Sequence, residues 1–261
     1  MLDSGRRDKI RLLISVAFGF ILLAYQSAHA QGVVLQMPNE DLQMITAQLG
    51  PIVGDALPSL PIDDVSRYFP LREHAATFQV TAGRHVGNIQ TLALTQVTRP
   101  SGNSSWRLDL SPSLSGFIHQ TAEGDLMMPT VGDTRDGVMV ITTPANPFLI
   151  KGIKPGETRF YSQQVIVNAL DDPTDQEYSG ILDGTYVYLG TYQVTVPAGS
   201  FPAAVVRLKC EGKVGPAHTR DTAYYFFAPG KGVIAMISQE DATAFWIIHI
   251  DSTAGRVLTA Y

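Results

Sequence analysis

Val205-Val206-Arg207-Leu208-Lys209-Cys210-Glu211-Gly212-Lys213 alternates in character from Val206 onward. Val206, Leu208 and Cys210 fall on one side, while Arg207, Lys209, Glu211 and Lys213 fall on the other. A period of two is the mark of a half-buried β-strand, so the stretch predicts an apolar face on a core and a charged face in water. Cys210 is the chain's one cysteine and lies on the apolar side. It has no partner for an intramolecular disulfide, so it reads as a buried, inert thiol and stability must come from packing.

The same period dominates from residue 76 onward. It predicts strands at 76–81, 88–98, 106–110, 116–121, 137–142, 158–169 and 180–189, then at 191–196, 203–213, 222–228, 232–239, 243–251 and 256–260. Turns such as Ser101-Gly102-Asn103, Lys154-Pro155-Gly156 and Pro229-Gly230 punctuate them. No helical stretch intervenes, whereas a parallel crossover needs a dozen or more residues. A sheet of this many strands curls or splits. The expected fold class is mostly β: a long curved antiparallel meander, half-barrel or barrel-like, with one short N-terminal helix. That helix is read from Asn39 as N-cap, Glu40 and Asp41 in the first turn, Leu42, Ile45 and Leu49 at helical spacing, and Gly50-Pro51 as the stop. Residues 51–71 carry four prolines and read as an irregular linker lying against the sheet.

Ahead of the helix, Arg6, Arg7, Lys9 and Arg11 precede a mostly apolar run over 12–25 that ends before Ala28-His29-Ala30. A basic segment, a short apolar segment and an A-x-A site together predict a signal peptide cleaved after Ala30 and a periplasmic destination, with an uncleaved N-terminal anchor as the alternative. No cysteine stands immediately after that site to accept a lipid. The expected organisation is therefore a signal peptide at 1–30, a helix and proline-rich linker at 31–75, and an antiparallel β domain at 76–261. The chain has 19 basic and 24 acidic side chains. Removing residues 1–30 takes away four and two of these, leaving 15 against 22, a net charge of −7. Such an acidic protein has no basic footprint for a phosphate backbone, so nucleic acid is not an expected partner.

Catalytic signatures are missing. Gly102-Asn103-Ser104-Ser105-Trp106 approaches a nucleophile elbow but has tryptophan where the second glycine belongs. The P-loop, H-E-x-x-H and the dinucleotide glycine pattern do not occur. His74, His85, His119, His218 and His249 include no pair at ligand spacing on one element. The acidic run 171–177 matches no calcium loop and reads as a solvated connection, and Asp133, Arg135 and Asp136 as a charged turn. No catalytic residue, metal or cofactor is expected, and the chain reads as a non-enzyme.

Aromatic residues say more. Trp106, Phe117, Phe160, Tyr186, Tyr188, Phe226, Phe245 and Trp246 are spread over many strands and must fill a core or line a cavity. Residues 243–250 are apolar on both faces, with Ala244, Trp246, Ile248 and Ile250 sharing one side. If a concave face holds an apolar ligand, the expected lining includes Trp106, Phe160, Tyr186, Trp246 and Ile248.

Val196-Pro197-Ala198-Gly199-Ser200-Phe201, followed by Tyr224-Tyr225-Phe226-Phe227-Ala228-Pro229-Gly230-Lys231-Gly232, resembles a V-P-A-G-x-F and A-P-G-x-G pattern of uncharacterised bacterial envelope proteins. Tyr68-Phe69-Pro70-Leu71-Arg72-Glu73-His74 is similar to that family's Y-x-P-L-x-x-G opening, with His74 in the place of glycine. The resemblance implies a strongly curved antiparallel sheet, similar in outline to periplasmic lipoprotein carriers, whose concave side accepts acyl chains under a helix. The helix ending at Leu49 is the candidate cover. Two function classes follow. The preferred one is a periplasmic carrier of a hydrophobic, lipid-like small molecule. The alternative is a structural or envelope-assembly protein that acts through contacts with other envelope proteins. A third, weaker one is an outer-membrane barrel, suggested by Tyr261 after the alternating strand at 256–260.

Overall fold

A computed structural model describes residues 32–98, 104–244 and 248–261. The expected signal peptide, and Phe245 and Trp246, lie outside the described residues. In chain order the elements are β1 (Val33–Val34), α1 (Asn39–Leu49), β2 (Val53–Ser59), α2 (Val65–Tyr68), β3 (His74–Ala82), β4 (Ile89–Thr98), β5 (Ser104–Asp109), β6 (Leu114–Gln120) and β7 (Leu126–Asp133). Then follow β8 (Val138–Leu149), β9 (Thr158–Ala169), β10 (Gln176–Val196), β11 (Gly199–Val214), β12 (Ala217–Ala228), β13 (Gly232–Ala244) and β14 (Ile248–Ala260).

Each of β3 to β14 pairs antiparallel with its neighbours in sequence, β14 returns to β3, and β9 pairs with β10, so twelve strands close on themselves. The expected meander is therefore a closed barrel, which removes the exposed edges an open sheet would leave. Strand β10 joins two predicted strands into one of 21 residues. Up to Val187 it pairs with β9, and from Thr191 to Val194 it pairs with β2 along the same edge. The change of partner falls at a bulge where Gly190 has φ +126°, a conformation side chains resist. There the Thr191 N–H donates to Ser59 Oγ at 2.7 Å and fixes the incoming strand.

Residues 51–71 are more regular than expected. They contain β2 and α2, and Ile62, Val65 and Phe69 are buried in the barrel core. Strand β7 also escapes the period-two reading, because Pro129 stands in its middle.

Adjacent residues of β11 serve different cores. Val206 and Leu208 pack with Tyr186, Tyr188, Phe148 and Phe69 inside the barrel. Val205 packs with Tyr224, Phe226, Ile45 and Leu49 of a second cluster on the other face of the wall, beneath α1. Arg207, Tyr224, Ile237 and Gly255 are cross-strand neighbours in one row on that outer face. A side chain on Gly255 would bring its Cβ to 2.8 Å from the Gln48 carbonyl, so the row ends in a glycine where the helix comes closest. The helix thus lies outside the barrel and does not cover its concave side, which corrects the cover expected from the resemblance.

Two further expectations about this region change. Asn39 is the first helical residue and Pro38 holds the cap position, with no side-chain cap. The buried stripe is Asp41, Ile45 and Leu49, whereas Leu42 is 38% exposed. Arg207 is not in water: its side chain is 14% exposed and its Nη1 donates to Asp41 Oδ1 and Oδ2 at 2.7 and 2.8 Å. The Tyr224 hydroxyl donates to the same Oδ1 at 2.6 Å.

Candidate functional site

The barrel ends differ in what closes them. Turns 197–198 and 229–231 and the end of β14 sit at one mouth, here called the upper one; turns 83–88, 134–137 and 215–216 lie at the other. Below the upper mouth the lumen is filled by aromatic side chains. Phe148 meets Phe69, Tyr225 and Phe227 edge-on, with centroids 5.0, 5.2 and 5.3 Å apart. The buried Tyr186 hydroxyl donates to the Phe148 carbonyl at 3.3 Å, and burial pushes that phenol's pKa up.

Beside this plug, Phe78, Leu92, Leu94, Leu108, Tyr225 and Met236 line an apolar slot of about 30 Å³, room for little more than a water. The slot shares His74 and Lys231 with a second cavity of about 200 Å³ bounded by Pro70, Arg72, Gly230 and Tyr261. Lys231 is carried on the β12–β13 turn, where Gly230 and Gly232 both take positive φ. The Gly230 N–H donates to the Arg67 carbonyl at 2.7 Å, so α2 clasps the turn and sets the next segment of chain against it. His74 Nδ1 lies 2.9 Å from the Arg72 carbonyl, which makes that nitrogen the donor. Lys231 Nζ stands 4.1 Å from the Tyr261 ring centroid.

The lower lumen is polar. Cys210 and Asp221 are cross-strand neighbours on the inner face, as are Asp221 and Glu240. Burial pushes the Cys210 thiol up to about 12, with the Asp221 charge adding to it. Burial, with Glu240 nearby, raises Asp221 to about 6. A thiol held this high carries almost no thiolate at neutral pH, which fits the inert reading of Cys210. Among the described residues no cluster of three or more His, Cys, Asp or Glu could hold a metal ion.

Of the five residues expected to line a ligand cavity, Trp106, Phe160 and Tyr186 line neither cavity. Tyr186 is fully buried inside, and Trp106 is half-buried against the same inner cluster. Phe160 is 82% exposed. Its cross-strand partner is Thr185, while Tyr186 pairs with Arg159, so Phe160 and Tyr186 stand on opposite faces of the wall and cannot line one cavity. Trp246 lies outside the described residues. Ile248 opens β14 opposite Ala244, and its side chain also lies outside what is described. The cavity residues at the mouth went unread, although Arg72, His74, Gly230 and Lys231 all fall inside the two motifs 68–74 and 224–232.

This geometry defines a closed antiparallel barrel with a filled lumen and a small amphipathic mouth. No protein-family model matches the sequence, and no curated protein matches it. Solved structures do resemble it. A Bacteroides fragilis NCTC 9343 protein regarded as exported, with a YmcC-like fold, is 13% identical at a TM-score of 0.38, over 74% of this chain and 97% of that one. A Parabacteroides distasonis ATCC 8503 protein regarded as a lipoprotein is 12% identical at 0.31, over 74% and 97%. The hypothetical lipoprotein YmcC of Escherichia coli K12 is 8% identical at 0.36, over 86% and 98%. Likenesses this distant leave the function to be argued from the site.

Proposed function

We propose that this chain is a non-enzymatic, exported binding protein that takes a hydrophobic, lipid-like ligand at the upper mouth of its barrel. The observation that carries the reading is the apolar slot beside the larger cavity, the two sharing His74 and Lys231 in their linings. Met236 lines the slot, and its unbranched thioether side chain repacks easily around an incoming chain. The ligand sits at the mouth, because the lumen beneath is occupied by Tyr186, Phe148 and Phe227. Its export rests on the basic and apolar pattern of the first thirty residues.

The outer face argues against an outer-membrane barrel. Lys209, Glu211 and Lys213 of β11 share it with Arg220 of β12, and Arg220 Nε lies 3.3 Å from Glu211. Membrane barrels instead turn an apolar band outward.

The filled lumen favours one second reading, a structural or envelope-assembly protein working through protein contacts. Titration of the protein lacking residues 1–30 with a fluorescent fatty acid, alongside native mass spectrometry of protein from its own compartment, separates the two. Saturable binding that Ala76→Leu abolishes by filling the slot is the expected result, since Ala76 is part of its wall. No binding and no lipid-sized adduct gives the structural reading instead.

A further inference from the structure

Three positively charged or chargeable side chains, Arg72, His74 and Lys231, border the 200 Å³ cavity, and no Asp or Glu side chain lines it among the described residues. This happens in a chain whose acids outnumber its bases, 24 to 19. Arg107, Arg135, Arg159, Arg207 and Arg220 each pair with a carboxylate elsewhere in the molecule. Neither Arg72 nor Lys231 does so among the described residues. Asp109, the one acid bordering the neighbouring slot, is already engaged by Arg107 at 3.0 Å. With His74 Nδ1 committed to the Arg72 carbonyl, Nε2 is the ring nitrogen left over.

The backbone segments that carry the cations are tied to each other. They lie far apart in sequence, and the Gly230 to Arg67 backbone bond pins one against the other. Exposed cations with no carboxylate side chain paired to them, beside an apolar slot, suit a ligand with a charged end and a greasy one.

We infer that the mouth cavity is an anion site, and that the ligand taken by the slot carries a carboxylate or phosphate at its polar end. The inference rests on the binding reading above. Arg72 and Lys231 supply charge-assisted hydrogen bonds to the head group, and the tail enters between Phe78, Leu92 and Met236 once the Met236 side chain swings aside to widen the slot.

The test compares dodecanoate, dodecyl phosphate, dodecanol and inorganic phosphate by calorimetric titration on the chain lacking residues 1–30. Its variants are Arg72→Gln/Lys231→Gln, with Lys209→Gln on the outer face as a control, each checked by thermal melting. The anionic amphiphiles should bind at least about tenfold tighter than dodecanol. The double variant should erase that preference, bringing the three amphiphiles within about twofold of one another with melting unchanged, and the control should keep it. Equal affinity for dodecanoate and dodecanol, or a preference that survives the double variant, overturns the anion site while the binding reading stands. Failure of all three amphiphiles overturns the binding reading too. Inorganic phosphate binding alone, lost in the double variant, replaces the amphiphile with a free anion and overturns the head-group assignment.

Discussion

Asp41 is fully buried and Asp221 half-buried, on opposite faces of the same wall, and only Asp41 is met by a cation. Under α1 its carboxylate, 0% exposed, takes two bonds from Arg207 Nη1 and one from the Tyr224 hydroxyl. Inside the lower lumen Asp221 accepts long bonds from Cys210 Sγ at 3.6 Å and Thr219 Oγ1 at 3.3 Å, with Glu240 as its cross-strand neighbour. The difference shows what each does. A buried charge with a geometric partner ties two elements together, whereas one without a partner keeps its proton to a higher pH. The outer pair fastens a helix that has only a short apolar stripe of its own, and the inner acid sits half-buried among polar neighbours.

The largest expected effect comes from breaking the outer pair. Arg207→Ala should cost about 3–5 kcal/mol in urea melts, because it strands the Asp41 carboxylate beneath α1. Combining it with Asp41→Asn should return part of that loss, since the uncompensated charge goes with it. A cost below about 1 kcal/mol would erase the distinction between the two aspartates.

Alternation made the barrel wall legible from sequence, and it stopped where chemistry crossed it. Leu208 and Val206 were assigned to a core correctly, because their apolar side is unbroken. Arg207 was assigned to water because a cation on the polar side of a strand normally stays there, and nothing in β11 announces the carboxylate beneath α1. On the helix, the stripe was drawn through Leu42, and the buried residue is its neighbour Asp41. The choice between Phe160 and Tyr186 for the inner face depends on β9–β10 register, which a sequence with alternating polar interruptions leaves open by one residue. The mouth was hidden for a different reason: its two segments look like turns, and only barrel closure brings Arg72 and Lys231 to one cavity.

A smaller effect sharpens the inner half of the comparison. Asp221 has its folded pKa raised from 3.8 to about 6. The folded state therefore holds more protons than the unfolded chain between these values, and stability should fall as pH rises through about 4 to 6. Asp221→Asn removes that slope. The variant should gain up to about 3 kcal/mol over the parent at pH 7 and much less at pH 4, as read from urea melts at both. An equal gain at both pH values would mean that Asp221 ionises freely when folded and that the lower lumen treats it as a surface acid.

The smallest expected effect tests whether the outer anchor is a specific pair or a diffuse field. Lys209 lies two residues from Arg207 on the same outer face, and its Nζ stands 4.0 Å from Glu40 Oε1. Its side chain is 43% exposed and that of Glu40 is 71% exposed, against 14% for Arg207 and 0% for Asp41. Water and salt screen such an exposed pair, and holding two long side chains together costs entropy. Lys209→Ala should therefore shift stability by no more than about 0.5 kcal/mol, and added salt should shrink even that. A loss comparable to that of Arg207→Ala would show that α1 is held by the summed positive charge of β11. Asp41 would then be one of several acids answering it, and burial under the helix would no longer separate it from Glu40.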